Sequence, residues 1–73
     1  MQALEFHLTG EFIELHQLLK LSGLCSSGGA GKALVAGGNV KVDGAFELRK
    51  TCKIRAGQKV RVGDVTIAVI GAA

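Results

Sequence analysis

The sequence predicts a single α+β domain over residues 1–73, with two packed helices against a small, mainly antiparallel sheet. Three observations predict this class. Leucines recur at helical spacing early in the chain, a glycine-rich segment that begins with serine follows, and the second half alternates apolar and polar residues between turn glycines. The order of strand, helix, helix and then strands is typical of α+β domains. The length allows one domain with a modest core, and an apolar fraction of 48% favours a folded chain.

The first predicted elements are a strand and a helix. Residues 2–8 alternate loosely and predict an opening edge strand. A helix is then predicted over residues 11–22, with Glu11 and Glu14 in its first turn, where the helix dipole favours acids, and with Gly23 beyond its end. Its apolar positions are Phe12, Leu15, Leu18 and Leu19.

A second helix is predicted to begin at Ser26 or Ser27, since either is a good N-cap, and to end at Gly37 and Gly38. Its apolar face consists of small residues, which lets a neighbouring helix approach closely. The members of this face are Ala30, Ala33 and Leu34. Three glycines lie within the helix, and each is less favourable than alanine there by about 1 kcal/mol. They are Gly28, Gly29 and Gly31. Either packing or close approach of the backbone to a ligand would account for them.

The remaining chain predicts strands. Residues 40–42 alternate and end at Asp43-Gly44, a strong signal for a two-residue turn. Residues 59–62 and 65–69 flank Gly63-Asp64 and predict a second hairpin. A two-residue loop there pairs Val62 with Val65 and Val60 with Ile67, which places the apolar residues on one face. The other face carries Lys59, Arg61 and Thr66.

Charge is unevenly distributed along the chain. The formal net charge is +3, yet residues 1–19 contain three glutamates and no basic residue, whereas residues 20–73 contain all nine basic residues against three acidic ones. Such segregation is typical of a surface that binds a polyanion. It is also compatible with a solvated face that keeps the domain soluble, and the charge pattern alone does not separate the two.

Several chemical functions are not supported by the sequence. Residues 26–33 resemble a phosphate-binding loop, but Ser26 stands at its first glycine, Ala33 replaces the hydroxyl residue that binds the metal ion, and the segment follows a helix. No metal-ligand spacing is present, nor any ordered pair of nucleophile and base. We therefore predict no enzyme activity, no metal and no cofactor. The residues considered for such sites are His7, His16, Cys25 and Cys52.

The cysteines and the apolar pattern predict the environment of the chain. Cys25 and Cys52 are far apart and form no CxxC pair, and the opening residues lack a basic start followed by an apolar run. Reduced thiols and a cytoplasmic location are expected. No apolar stretch approaches the ~20 residues that a membrane-spanning helix needs, so no membrane association is expected.

The basic residues of the second half predict nucleic-acid binding. Four lie between Phe46 and Gly57, and others precede and follow them. Phosphate binding requires several cations that need little mutual orientation. The chain has no Trp or Tyr and only three Phe residues, whereas readers of single strands use exposed aromatics for stacking. Recognition of structured RNA by backbone and shape is the better match.

The same residues resemble a known family, the RNA-binding domain first described in ribosomal protein S-four, also called the αL motif. The matching segments are Leu15-x-x-Leu18-Leu19, Gly23, Ser27, Gly38-Asn39-Val40-Lys41-Val42-Asp43-Gly44, Glu47-x-Arg49-Lys50, Lys53-Ile54 and Ala56-Gly57-Gln58-x-Val60. The resemblance covers residues 11–62. The segments around Ser27 and Arg49 look most like short stand-alone bacterial members.

The resemblance implies where RNA binds. It places the RNA-binding surface on the two helices and the following β-turn region, at Ser27, Gly28, Gly29, Lys32, Lys41, Arg49, Lys50 and Lys53, and the basic pattern adds Lys20 and Arg55. Many members carry basic residues directly after the serine and beside the position of Lys32, where this chain has Gly28 and Ala33. This difference shifts the expected contact toward Arg49, Lys50 and Lys53.

The predicted function is therefore non-enzymatic binding of structured RNA, ribosomal or transfer RNA, by a monomeric and ribosome-associated protein. Two alternatives stand beside it. One is a protein-interaction adaptor whose basic surface docks an acidic partner. The other is a small hydrolase or redox protein that uses Cys25 or Cys52.

Overall fold

A computed structural model describes residues 2–71. The strands and helices in chain order are β1 (Gln2–His7), β2 (Ile13–Glu14), α1 (Leu15–Leu21), α2 (Gly28–Ala36), β3 (Val40–Val42), β4 (Ala45–Phe46), β5 (Lys53–Ile54), β6 (Lys59–Val62) and β7 (Val65–Ile70). Five strands form one sheet in the order β1-β7-β6-β3-β4, and β2 pairs with β5 in a second, two-stranded sheet. The predicted α+β class is confirmed, as is the mainly antiparallel sheet, since only the β1–β7 pair is parallel.

The predicted turn at Asp43-Gly44 and the predicted register of the second hairpin are both confirmed. Val42 pairs with Ala45 across the Asp43-Gly44 turn, where both turn residues have positive φ, at +52° and +87°. In the second hairpin Val62 pairs with Val65. A positive φ disfavours ordinary side chains and favours glycine. Gly44 in the first turn and Gly63 in the second, with a φ of +58°, therefore fix these two turns.

The first helix is shorter than predicted. Residues 11–14 lie outside it, because Ile13 pairs with Ile54 in an antiparallel bridge and the helix begins only at Leu15. Glu14 is therefore the N-cap residue, and Glu11 is not in the first turn. The predicted end is confirmed: the helix stops at Leu21, and Gly23 adopts a φ of +87°.

The second helix begins as predicted but buries a different face. Ser27 is its N-cap, and the serine hydroxyl accepts a hydrogen bond from the amide of Ala30 at 3.2 Å. The predicted face of Ala30, Ala33 and Leu34 is right only for Leu34, which packs half-buried against the core. Both alanines are exposed, whereas Gly31 and Val35 are buried. A Cβ at Gly31 would lie 2.7 Å from the carbonyl oxygen of His16. Packing of α1 against α2 therefore explains this glycine.

The core lies between the helices and one face of the five-stranded sheet. Leucines of α1 and Val35 of α2 meet inward-facing residues of β3, β6 and β7 there. The fully buried side chains are Leu15, Leu18, Leu19, Val35, Val40, Ile54, Val60 and Ile67. The opposite face of the sheet carries Lys41, Lys59 and Arg61. Across residues 2–71, neither helix has the length and hydrophobicity that crossing a bilayer requires.

Candidate nucleic-acid interface

The backbone of residues 49–55, here called the basic segment, is fixed against the start of α1. The amide of Leu15 donates to the carbonyl of Cys52 at 2.9 Å, and the amide of His16 donates to the carbonyl of Lys50 at 3.0 Å. These bonds satisfy amides at the helix start that have no partner within the helix. The side chains of Arg49 and Lys50 remain exposed. The segment thus holds its cations outward on a fixed backbone.

The start of α2 lies beside the basic segment through a shared contact with His16. The carbonyl of His16 packs against Gly31, while its amide binds the carbonyl of Lys50. Lys32 follows Gly31 in the helix and is exposed. The predicted residues at the start of α2 and in the basic segment are therefore neighbours in the fold.

The first turn of α2 is open to solvent. Ser27 and Gly29 are exposed, and a Cβ at Gly29 would meet nothing nearer than the Ser27 hydroxyl at 3.9 Å. Packing therefore does not explain Gly29, unlike Gly31. Gly28 is the first residue of the helix. Free amides at a helix start attract anions, so the alternative explanation, backbone approach to a ligand, stays a prediction for this turn.

Glu47 holds the side chain of Arg49. The guanidinium donates two hydrogen bonds to the carboxylate, from Nε at 3.0 Å and from a terminal nitrogen at 3.2 Å, and the Arg49 amide donates a third at 3.0 Å. The hydrogen bonds from the Arg49 side chain, and to a lesser extent the bond from its amide, lower the pKa of Glu47 to about 2. The side-chain bonds also raise the pKa of Arg49. The Arg49 side chain is still 77% exposed. Arg49 is thus oriented by its acid partner and remains accessible.

Phe12, predicted to lie on the apolar face of the first helix, instead belongs to this surface. It precedes β2, is 40% exposed, and packs against two cations of the basic segment. The Lys53 ammonium lies 4.9 Å from the ring centroid, and the Arg55 guanidinium 5.7 Å. Cation–π attraction at exposed sites is worth about 0.5–1 kcal/mol. The ring therefore restrains two of the predicted RNA-binding side chains.

Two further predicted residues lie on other elements of the fold. Lys41 is on the sheet face opposite the core, with its ammonium 4.8 Å from the ring centroid of Phe46. Lys20 is exposed in the last turn of α1. The contacts connect the backbone of Gly31, beside Lys32, with that of Lys50 through His16, and they bring Lys53 and Arg55 together on Phe12. The roles of all the predicted RNA-binding residues stay predictions.

His16 and Cys52, two residues considered for a metal or nucleophilic site, lie in buried or partly buried surroundings. His16 is buried, and its Nε2 lies 3.3 Å from a Glu14 carboxylate oxygen. Burial and then the nearby Glu47 carboxylate raise the pKa of the Cys52 thiol, which disfavours the nucleophilic thiolate. Within residues 2–71, no group of three or more His, Cys, Asp or Glu residues is placed to hold a metal ion.

Comparison with known proteins agrees with this arrangement. The family model described as S4 domain matches residues 6–70. YbcJ of Escherichia coli (strain K12), which is named provisionally as an RNA-binding protein, is 50% identical over 58 residues, 80% of this chain and 83% of its own length. YbcJ of Shigella flexneri matches with the same identity and coverage.

A solved structure shows the same fold. The solution structure of YbcJ from E. coli superimposes with a TM-score of 0.68 at 43% identity, covering 96% of this chain and 87% of that one. That protein is described as containing an αL motif involved in RNA binding. Because the matching segments include α1, α2 and the strands that fix the basic segment, the chain belongs to the S4 domain family.

Proposed function

We propose that this chain binds structured RNA, ribosomal or transfer RNA, through the start of α2 and the basic segment. The observation that carries the proposal is the anchoring of residues 50 and 52 to the amides of α1, which leaves Arg49, Lys50 and Lys53 exposed on a fixed backbone. Family membership supports RNA as the polyanion. Several exposed positive charges can contact phosphates along an RNA backbone and release counterions on binding.

We further propose that the protein acts without catalysis, as a monomer associated with ribosomal particles in the cytoplasm. Two unpaired cysteines support a reducing compartment, and the raised pKa of the Cys52 thiol supports a structural role for that residue. RNA would then be held by charge and shape, without a chemical step.

The test compares the parent with Arg49→Ala/Lys50→Ala, using purified ribosomal RNA and total transfer RNA as probes. Both side chains are exposed, so the fold should be retained, with stability changes of about 0.5 kcal/mol or less. RNA affinity should fall for both probes, and the slope of log affinity against log salt should become shallower by about one unit per lost phosphate contact.

Lys59→Ala is the matched control for Lys50→Ala, because each removes one exposed lysine and Lys59 lies in β6, outside the basic segment. Lys50→Ala should flatten the salt slope, and Lys59→Ala should not. Equal RNA affinity in the double variant and the parent would refute the assigned surface. Binding of an acidic protein partner without RNA binding would favour the adaptor alternative, and loss of a cellular activity in Cys25→Ala/Cys52→Ala would favour the hydrolase or redox alternative.

A further inference from the structure

A second surface feature lies away from the basic segment, where the end of α2 meets β3, β4 and β6. It is an open groove of about 540 Å³. Its lining includes Leu34, Gly38, Asn39, Lys41, Phe46 and Arg61. A groove of this size falls in the range of about 300–1,000 Å³ that small-molecule sites occupy.

An exposed aromatic ring forms one wall of this groove. Phe46 is 66% exposed, the largest exposed fraction among the large apolar residues that the structure describes. Its neighbour across the strands is Lys41, whose ammonium lies over the ring at 4.8 Å. Leu48, 62% exposed, packs against Gly38 with its Cδ2 3.9 Å from the position of a Cβ there. The groove therefore offers a flat apolar surface to a ligand.

Two cations stand beside this apolar surface. Lys41 and Arg61 are directly opposite each other on β3 and β6. Arg61 uses Nε to donate to the carbonyl of Gly63 at 3.1 Å, which orients its guanidinium and leaves the terminal nitrogens available for a ligand. Across residues 2–71, Arg49 is the one Lys or Arg side chain that is paired with an acid, so neither cation of the groove has an acid partner there.

A polar group completes the lining. Asn39 donates its side-chain nitrogen to the carbonyl of Leu34 at 3.2 Å. This hydrogen bond fixes the orientation of the amide, whose oxygen takes no part in it. A side-chain amide oxygen accepts hydrogen bonds from amino or imino groups. The groove therefore combines a stacking surface, two cations and one oriented amide.

We propose that this groove binds one unpaired nucleotide of the RNA, with its base against Phe46 and its phosphate at Lys41 and Arg61. The proposal rests on the proposed function and specifies part of its substrate: RNA in which a paired region adjoins an unpaired residue. The flat base of a nucleotide matches the apolar wall formed by Phe46, and its phosphate matches the two cations. The basic segment would hold the backbone of the paired region, and the groove would hold the splayed residue.

The test uses two RNA probes with the same stem, a hairpin with an unpaired loop and a blunt-ended duplex. Phe46→Leu keeps an apolar side chain and removes the aromatic face. We expect it to weaken binding of the hairpin about tenfold, the order of one lost stacking contact, and to leave binding of the duplex unchanged. Because Phe46 is exposed, the thermal midpoint should stay at the parent value.

Phe12→Leu is the matched control, since Phe12 is also an exposed phenylalanine that contacts cations. It should weaken both probes by a similar factor and leave their ratio unchanged. If Phe46→Leu keeps the parent's preference for the hairpin, or if the parent does not prefer the hairpin, the groove proposal is wrong while RNA binding stands. If the parent binds neither RNA, the proposed function itself fails.

A second measurement locates the ligand directly. Titration of the parent with a short oligouridylate, followed by amide NMR, should shift the signals of Gly38, Asn39 and Phe46, and Arg61→Gln should weaken this binding. An oligoglutamate of equal charge should not produce these shifts. Equal occupation of the groove by the peptide would overturn the assignment to a nucleotide.

Discussion

Replacing Gly31 with alanine places a methyl group where α1 and α2 are in contact. The new Cβ would lie 2.7 Å from the His16 carbonyl oxygen and 3.5 Å from two further backbone atoms of that residue, whereas ordinary contact begins near 3.4 Å. Because the obstacle is backbone, the helices must move apart. Overpacking of this kind costs about 2–3 kcal/mol, and the better helix propensity of alanine offsets about 1 kcal/mol. A net loss of about 1–2 kcal/mol is expected.

Thermal and urea unfolding followed by circular dichroism measure this loss. For a domain of this size it corresponds to a lower Tm by about 5–15 °C. Gly29→Ala is the matched control, because a Cβ there meets only the Ser27 hydroxyl at 3.9 Å. That variant should be as stable as the parent or more stable by up to about 1 kcal/mol. A Gly31→Ala protein as stable as Gly29→Ala would refute the packing explanation.

The remaining predictions concern single side chains. By carboxyl NMR, Glu47 should titrate at about 2 and return toward its ordinary pKa in Arg49→Ala. Since the pKa of Glu47 is lowered in the folded protein, its pairing with Arg49 stabilises the fold at pH values above the ordinary pKa. This stabilisation is lost as pH falls through about 2. An ordinary pKa of Glu47 in the parent would contradict the bidentate contact. Ser27→Ala should lower the free energy of unfolding by about 1 kcal/mol, because the hydrogen bond that caps α2 is lost. Ser27→Gly should lower it by only a few tenths of a kcal/mol, since glycine is tolerated at an N-cap. Asp43→Ala should lower the free energy of unfolding in urea by about 1–2 kcal/mol, because Asp43 adopts a φ of +52° and accepts a hydrogen bond from the Lys59 amide. Asp43→Asn should lower it less. Equal losses in the two variants would argue against the turn conformation as the cause.

The hairpins could be predicted because their information is local. An alternating apolar pattern and a two-residue turn signal fix the pairing of Val62 with Val65 without knowledge of distant residues. The start of α1 could not be predicted in this way. It depends on Ile13 pairing with Ile54, far along the chain, which converts a segment with helical periodicity into a strand.

The face of α2 and the aromatic contacts were missed for a different reason. Gly31 has no side chain, so apolar periodicity does not report that it occupies the tightest helix contact. Three Phe residues without Trp or Tyr do not predict stacking, yet Phe12 and Phe46 are exposed and lie beside cations. Composition gives the number of aromatic rings, and only the fold shows which of them reach the surface.

The parallel pairing of β1 with β7 has a consequence for how the protein avoids self-association. The segment Val65–Ile70 is six residues long, rich in β-branched side chains, and free of charge and proline. Such segments form intermolecular sheets readily when an edge is exposed. In this fold β1, which carries Glu5 and His7, covers that edge along its full length. The opening strand thus acts as a gatekeeper, and a chain in which it detaches would present an aggregation-prone edge to its neighbours.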